Sequence, residues 1–308
     1  MDVMAIPTLE EKLQSEESVV ERPTVSIILP AFNEEGAIGK VIDDVQAAMK
    51  DSGYSYEILV IDDKSTDRTV EIARTKKAQV VQRPQRGGSG AARRTGILKA
   101  RGEVIVMLDA DDSYHASDIP NLLQYFPEFD QVNGARTSEQ GSMKLLRAPA
   151  KWFIRKLACY LTQTEIPDLN TGFKAFKKDI MRKYLWVLPD GFSCVTTMTL
   201  AFLTNGYAVK YIPTEYHRRI GKSKFHPVKD AIAYLNSVLR LVMYFKPLRV
   251  FMPLSTFLFF AAMLKSVLSI VYTRTLQESD IILFVVAILL FALGLIADLI
   301  VTYHNRKE

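Results

Sequence analysis

Two apolar blocks near the end of the chain, Val250 to Tyr272 and Ile281 to Tyr303, restrict its folding more than anything before them. Between them runs Thr273-Arg274-Thr275-Leu276-Gln277-Glu278-Ser279-Asp280. Each block is long enough to cross a bilayer as a helix, which takes about 20 residues. Helices apolar on every side suit lipid, where the backbone must be satisfied within the segment; a pair of buried core helices is the competing reading. The second block holds one charge, Asp298, near its end, whereas the first carries Pro253 early and Lys265 well inside.

Lys246 and Arg249 precede the first block and Arg306 and Lys307 follow the second, while the connection sets Arg274 against Glu278 and Asp280. The positive-inside rule then places both termini, and the larger domain ahead of the spans, in the cytoplasm. Lys265, as an intramembrane charge, is a functional-site candidate by default. Antiparallel pairing sets it opposite Ala287 or Ile288, too far from Asp298 to pair, so snorkelling toward the interface is the first reading.

The 308 residues leave room for one substantial globular domain ahead of the hairpin. Residues 1–22 read as a mobile acidic lead without the basic start and apolar core of a signal peptide. The globular domain follows over 23–226, then a juxtamembrane amphipathic helix over 227–249, the two-helix hairpin over 250–303 and a cytoplasmic tail over 304–308. Cys159 and Cys194 fit no metal-ligand spacing, which agrees with a reducing compartment. The net charge of +5 gathers near the membrane-proximal segments, so its partners are anionic lipid or phosphate, not nucleic acid.

From Val25 short apolar runs alternate with helical stretches. Val25 to Leu29 precedes a helix over Ala37 to Met49, Glu57 to Ile61 one over Arg68 to Arg74, and Gln79 to Val81 a Gly-rich turn and helix ending at Ala100. Glu103 to Leu108 is the fourth strand. This βαβα order with continuous β-branched runs implies strands covered on both faces, with ligands beyond their carboxyl ends. After about Asn121 the alternation loosens. A basic amphipathic stretch then runs from Lys144 to Leu161, setting Trp152, Phe153, Leu157 and Leu161 among Lys151, Arg155 and Lys156. A second, from Pro227 to Phe245, spaces Val228, Ile232, Leu235, Leu239 and Val242 as a helical stripe. Each reads either as an interfacial helix or as an ordinary surface helix with one face on the core.

Three acidic turns close these strands. Pro30-Ala31-Phe32-Asn33-Glu34-Glu35 and Asp62-Asp63-Lys64-Ser65-Thr66-Asp67 offer acids and amides that can grip a nucleobase and ribose, although Asp67 also reads as a helix cap. Arg86-Gly87-Gly88-Ser89-Gly90-Ala91-Ala92 opens a helix with small residues, either to bring backbone N–H groups to a phosphate or to pack tightly. It lacks the Lys-Ser/Thr of a P-loop and the Rossmann glycine spacing, which argues against an ATPase and a nicotinamide enzyme. Asp109-Ala110-Asp111-Asp112 follows the most hydrophobic strand of the globular domain. Two acids one residue apart there suit Mg²⁺ or Mn²⁺, with water and diphosphate oxygens filling the other positions.

Taken together, Pro30-Ala31-Phe32-Asn33-Glu34, Asp62-Asp63-x-Ser65-x-Asp67, Gly88-x-Gly90, Asp109-x-Asp111, Asn170-Thr171-Gly172-Phe173-Lys174 and Arg218-x-x-Gly221-x-Ser223-Lys224 resemble a family 2 glycosyltransferase domain over Val25 to about Lys224. The similarity is to the polyprenyl-phosphate subgroup typified by dolichol-phosphate mannose synthase. It implies an α/β GT-A domain, Rossmann-like and nucleotide-sugar-binding, followed by interfacial amphipathic helices and two transmembrane helices.

By that resemblance Pro30, Phe32, Glu34, Ile61 and Asp63 hold the nucleoside. Asp109 and Asp111 hold the metal and donor diphosphate, Ala110 between them belongs to the nucleotide-sugar site, and Arg218 and Lys224 close over the diphosphate. Arg136 and Arg155 bind the acceptor phosphate, where a guanidinium offers a planar fork. Cys159 stands where some relatives have a hydroxyl residue, and Ser113 where some use glutamine near the metal.

The implied reaction is inverting transfer from a UDP- or GDP-linked sugar to a polyprenyl or dolichyl phosphate. A phosphate with a second pKa of about 6 is largely dianionic near neutrality and needs no strong base. Asp168 is the candidate base or acceptor-orienting group, with a turn-forming role as the alternative. His115, His217, His226 and His304 look scattered. A soluble or protein-bound acceptor is the alternative reading. A processive polysaccharide synthase is disfavoured because the two tryptophans follow Lys151 and Leu185, outside any Gln-x-x-Arg-Trp. Oligomerisation through the spans is left open.

Overall fold

A computed structural model of the chain describes residues 24–137, 152, 155–191, 193–217 and 227–305. The acidic lead, most of the basic stretch from Lys144, and the segment holding Arg218, Lys224 and His226 lie outside the described residues.

The globular domain is built on a seven-stranded sheet in the order β3-β2-β1-β4-β6-β5-β7. Its strands are β1 (Val25–Ala31), β2 (Tyr56–Asp62), β3 (Gln79–Gln82), β4 (Val104–Met107), β5 (Gln131–Arg136), β6 (Lys174–Lys177) and β7 (Val209–Thr214). The first four pair in parallel as the β-branched runs anticipate. Beyond Asn121 the alternation breaks for a topological reason: β6 inserts antiparallel between β4 and β5.

Side chains alternate through the sheet into two cores. Ile27 and Leu29 point to one face with α1 (Ile38–Met49) and α2 (Thr69–Thr75). Ile28, Leu59 and Ile61 point to the other with α3 (Ser89–Lys99). Helix α1 is held by Ile38, Val41, Ile42, Val45 and Met49, all buried and spaced as one helical face. Each such side chain contributes at most about 1.5–3 kcal/mol, and Val45→Asp would set an unpaired charge into that face.

On the Ile28 face lie α4 (residues 155–162) and α5 (Cys194–Thr204). Helix α6 (Pro227–Phe245) spans the stretch read from its apolar spacing, but that stripe divides. Val242 enters the core, joined by Val238 from outside the stripe, while Ile232 and Leu239 are exposed. In α4 Ala158 and Leu161 are buried, while Tyr160, Arg155 and Lys156 face outward, as does Trp152 just before the helix. Both helices therefore pack on the domain and still present a second, outward surface.

The two apolar blocks form α7 (Leu248–Thr273) and α8 (Glu278–Asn305), each containing a stretch long and apolar enough to cross a membrane. Only 17% of each apolar window is buried within the chain, unlike the largely buried core helix of a soluble fold. Lys265 does not reach across to Ala287. Its ammonium turns toward the connection and meets Asp280 Oδ1 at 2.5 Å and Ser279 Oγ at 2.6 Å. A four-carbon stem makes this possible from two helical turns away.

Candidate active site

Parallel register brings the acidic turns together, since Ala31 pairs with Asp62 and the Asp63 amide donates to the Ala31 carbonyl at 2.9 Å. The first two turns are cross-linked. Thr66 N–H donates to Asn33 Oδ1 at 2.8 Å and Glu34 N–H to Thr69 Oγ1 at 2.8 Å, while Asn33 adopts φ 53° to make the bend. Asp67 accepts from the Thr69 amide at 3.0 Å and the Glu35 amide at 3.2 Å, so it ties the helix start to the neighbouring turn.

Two nucleoside assignments change in character. Ile61 is fully buried in the core, where a Cβ on Gly96 would come within 3.2 Å of its Cγ1, so its side chain is unavailable to a ligand. Asp63 is buried and takes three donors from the chain: Arg83, Gly87 N–H at 2.9 Å and Gly88 N–H at 2.7 Å. Pro30 and Glu34 are half-buried at the sheet edge, and the Arg86 guanidinium lies 3.9 Å over the Phe32 ring.

The Gly-rich turn is a packing device. Gly90 N–H donates to the Asp190 carbonyl at 2.8 Å, and a Cβ on Gly90 would sit 2.1 Å from the Pro189 carbonyl. Gly88 has φ +93°, a region that favours glycine. The amides at the start of α3 are thus given to Asp63 and Asp190 rather than held out to a phosphate.

Beyond β4, Asp109 and Asp111 emerge where the strand ends, and Ala110 is buried between them. Arg93 Nη2 donates to Asp109 Oδ1 at 2.5 Å from α3. Ser113 donates to Asp111 Oδ1 through its hydroxyl at 2.5 Å and its amide at 3.2 Å. Ser113 thus positions Asp111. The following residue, Asp112, adopts φ 60° and pairs with Lys40 at 2.7 Å.

Gly172 walls this pair: a Cβ there would lie 2.3 Å from Asp109 Oδ2. The space a side chain would fill is left to the carboxylate, and the two acids form an oxygen-only donor set that fits Mg²⁺ or Mn²⁺. Gly172 N–H donates at 3.1 Å to the buried Tyr114 hydroxyl, which burial keeps protonated well above the ordinary tyrosine range. Tyr114 packs edge-on against Tyr216 at 5.1 Å, and the Arg136 guanidinium lies 5.3 Å over the Tyr216 ring.

Arg136 grips Asp168 with two parallel bonds, Nε to Oδ2 at 2.6 Å and Nη2 to Oδ1 at 2.9 Å. Burial alone would raise the Asp168 carboxyl, but Arg136 outweighs it and holds the group below the usual range. Such a carboxylate is a poor proton acceptor, so the structure favours the orienting role over the base. Arg155 Nη1 reaches the Pro167 carbonyl at 3.4 Å, which brings both arginines to one turn. Half-buried Cys159 follows Arg155 by one helical turn. Next to it, Tyr160 lines a cavity of ≈ 660 Å³ with Arg249, Met252, Phe257 and Phe260 at the foot of α7.

Sequence reasoning passed over a buried polar group behind these residues. Lys174 donates to the Val195 carbonyl at 2.7 Å and Thr199 Oγ1 at 2.9 Å, and Gln131 shares that hydroxyl at 3.1 Å. Burial, with the Arg93 charge adding, lowers its pKa to about 7. The isolated lysine of Gly172-Phe173-Lys174 carried no sign of this, because its partners lie on α5.

Residues 26–185 match the model for glycosyl transferase family 2, and residues 246–302 match that of the GtrB C-terminal hairpin. The dolichyl-phosphate hexose transferase of Haloferax volcanii is 29% identical over 70% of this chain and 92% of its own length. Glycosyltransferase AglJ of the same organism is 28% identical over 92% and 95%. The dodecaprenyl-phosphate galacturonate synthase of Rhizobium johnstonii is 27% identical over 57% and 54%. Glucosyl-3-phosphoglycerate synthase of Mycobacterium tuberculosis, solved with Mn²⁺, UDP and glucosyl-3-phosphoglycerate, superposes with a TM-score of 0.57 at 20% identity, covering 79% of this chain and 86% of its own. That superposition gives the fold as GT-A, and the family match spans just over half of the residues: the chain belongs to glycosyl transferase family 2.

Proposed function

We propose that this chain transfers a sugar, with inversion, from a nucleoside-diphosphate sugar to a polyprenyl phosphate at the cytoplasmic face of a membrane. The observation that carries the reading is the convergence of Arg136 and Arg155 on the Pro167–Asp168 turn, with Arg155 on a helix that also lines the apolar cavity against α7. Two guanidinium groups suit a phosphate, and an apolar cleft beside a membrane helix suits the first isoprene units. Relatives bearing dolichyl- and dodecaprenyl-phosphate names support that acceptor class.

In this reading the nucleoside lies over Pro30, Phe32 and Glu34, and Asp63 shapes the site through Arg83 and the Gly87–Gly88 turn. Asp109 and Asp111 would hold Mg²⁺ or Mn²⁺, which when bound would neutralise charge on the departing diphosphate. Arg218 and Lys224, outside the described residues, add positive charge there. An acceptor phosphate oxygen forms the new bond to the anomeric carbon while the bond from that carbon to the donor diphosphate oxygen breaks, its electron pair leaving on the diphosphate oxygen. Asp168 keeps Arg136 oriented, and no residue removes a proton from the dianionic acceptor. Lys246 ahead of α7, Arg249 in its first turn, and Arg306 and Lys307 after α8 support a cytoplasmic position for both ends.

Membranes containing the chain, given radiolabelled UDP- or GDP-sugars and a polyprenyl phosphate, are expected to move label into the organic phase. Asp111→Ala abolishes that transfer while leaving the protein folded in membranes. Near-normal turnover by the variant refutes the metal-site reading, and label transferred only to water-soluble or protein acceptors refutes the lipid acceptor.

A further inference from the structure

Two of the histidines that look scattered in the sequence meet in the fold. Tyr114 and Tyr216 form an antiparallel bridge, and His217 N–H donates to the Ser113 carbonyl at 2.9 Å. The pairing puts His115, Glu215 and His217 together on the surface. The imidazole rings lie 4.1 Å apart at 65° with their Nε2 atoms facing each other. Glu215 Oε2 is 3.8 Å from one Nε2 and 3.7 Å from the other. Among the described residues this is the one place where three such ligand atoms converge within 4.8 Å of one another.

We propose that His115, Glu215 and His217 bind a single divalent cation of the zinc class, separate from the ion of Asp109 and Asp111, which staples segment 113–115 to segment 215–217. Bonds of about 2.0–2.2 Å in tetrahedral geometry set ligand atoms about 3.4 Å apart; the Glu215 separations are near that, and the two Nε2 atoms, which lie closer together, part by rotation of the exposed rings to admit the ion. Two imidazoles and one carboxylate select zinc-like ions, whereas the Asp109 and Asp111 oxygens select magnesium and manganese. The three side chains are each more than 40% exposed, so an ion enters from solvent and water fills its fourth position. The staple reaches the active site in two contacts, because Ser113, which accepts from His217, also supports Asp111.

The test uses the full chain in detergent micelles with Co²⁺, whose visible absorption reports low-coordinate nitrogen and oxygen ligation. One Co²⁺ per chain is expected to bind, and to bind equally in the D109N/D111N double variant. His115→Gln or Glu215→Gln weakens it by at least about tenfold, the scale on which even outer-shell changes act, and the H115Q/H217Q double variant abolishes the absorption. All three positions are at the surface, and far-UV circular dichroism verifies that each variant is folded. Loss of binding in D109N/D111N assigns the three residues to the donor ion and overturns the proposal, as does full binding by H115Q/H217Q. Neither readout uses sugar transfer, so the outcome is independent of the proposed activity.

Discussion

Substituting Gly172 with alanine separates folding from catalysis in this site. The added Cβ would lie 2.3 Å from Asp109 Oδ2, and ordinary contact begins at 3.4 Å, so the carboxylate must move by 3.4 − 2.3, about 1.1 Å. Gly172 itself is outside the left-handed region, so alanine brings no backbone strain. Asp109 has little freedom to give way gently, because Arg93 holds its other oxygen at 2.5 Å and is itself buried. The displacement therefore falls on the carboxylate proposed to hold the metal and diphosphate. A misplacement of about 1 Å typically costs about 100-fold in rate, which is about 2.7 kcal/mol of transition-state stabilisation.

The fold loses far less, since the atom displaced is the end of a side chain and not backbone. Melting in detergent is expected to fall by no more than about 2–4 °C, the equivalent of 1 kcal/mol in a domain of this size. The assay is initial-rate transfer of labelled sugar across a Mn²⁺ titration, in which Gly172→Ala lowers kcat/KM about 100-fold and raises the half-saturating metal concentration. Gly191→Ala is the control, because a Cβ there meets nothing within 4 Å. If Gly172→Ala stays within about threefold of wild type, Asp109 is not placed by this wall and the reasoning fails.

Two further outcomes follow from the buried charges. Asp168→Asn removes the fork that orients Arg136; the KM for lipid phosphate rises about tenfold with donor KM unchanged, whereas a lost general base would lower kcat by about 10²–10⁴ at constant acceptor KM. Lys174 titrates near 7 in the fold against 10.5 when exposed, so below about pH 7 both states hold the proton and its burial opposes folding in full. Between those values the folded chain has released a proton that the unfolded chain keeps, so stability rises with pH, by up to about 1.4 kcal/mol per pH unit. Melting temperatures measured from pH 6 to 9 should therefore rise for wild type relative to Lys174→Met, and parallel curves would exclude this titration.

What the sequence made legible was local. Strands β1 to β4 announce themselves by continuous apolar runs, each followed by its own helix, and the acidic turns occupy their carboxyl ends because the chain must turn there. The hairpin was readable for the same reason, since hydropathy over a span of about 20 residues is a one-dimensional signal. The residues whose surroundings the sequence left open were those whose partners are remote. The Gly87–Gly90 turn offers small residues to anything nearby, and only the fold shows that its neighbour is the Pro189–Asp190 carbonyl pair. Ile61 alternates with Val60 into the core opposite Gly96, a register that motif matching does not see. His115 and His217 are separated by 102 positions and meet only because Tyr114 bridges Tyr216.

Gly172 unites the two kinds of information. As part of Asn170-Thr171-Gly172-Phe173-Lys174 it is a motif letter with no stated reason. In space it leads into β6, the strand that breaks the parallel order, and that antiparallel insertion carries it against Asp109. From there the Tyr114 hydroxyl, the Tyr216 ring and Arg136 lead to Asp168 in successive contacts. The irregular strand is therefore what sets Arg136 and the Asp109–Asp111 pair against a shared aromatic wall. A regular parallel sheet would leave β4 facing another parallel strand and would give Asp109 no such neighbour.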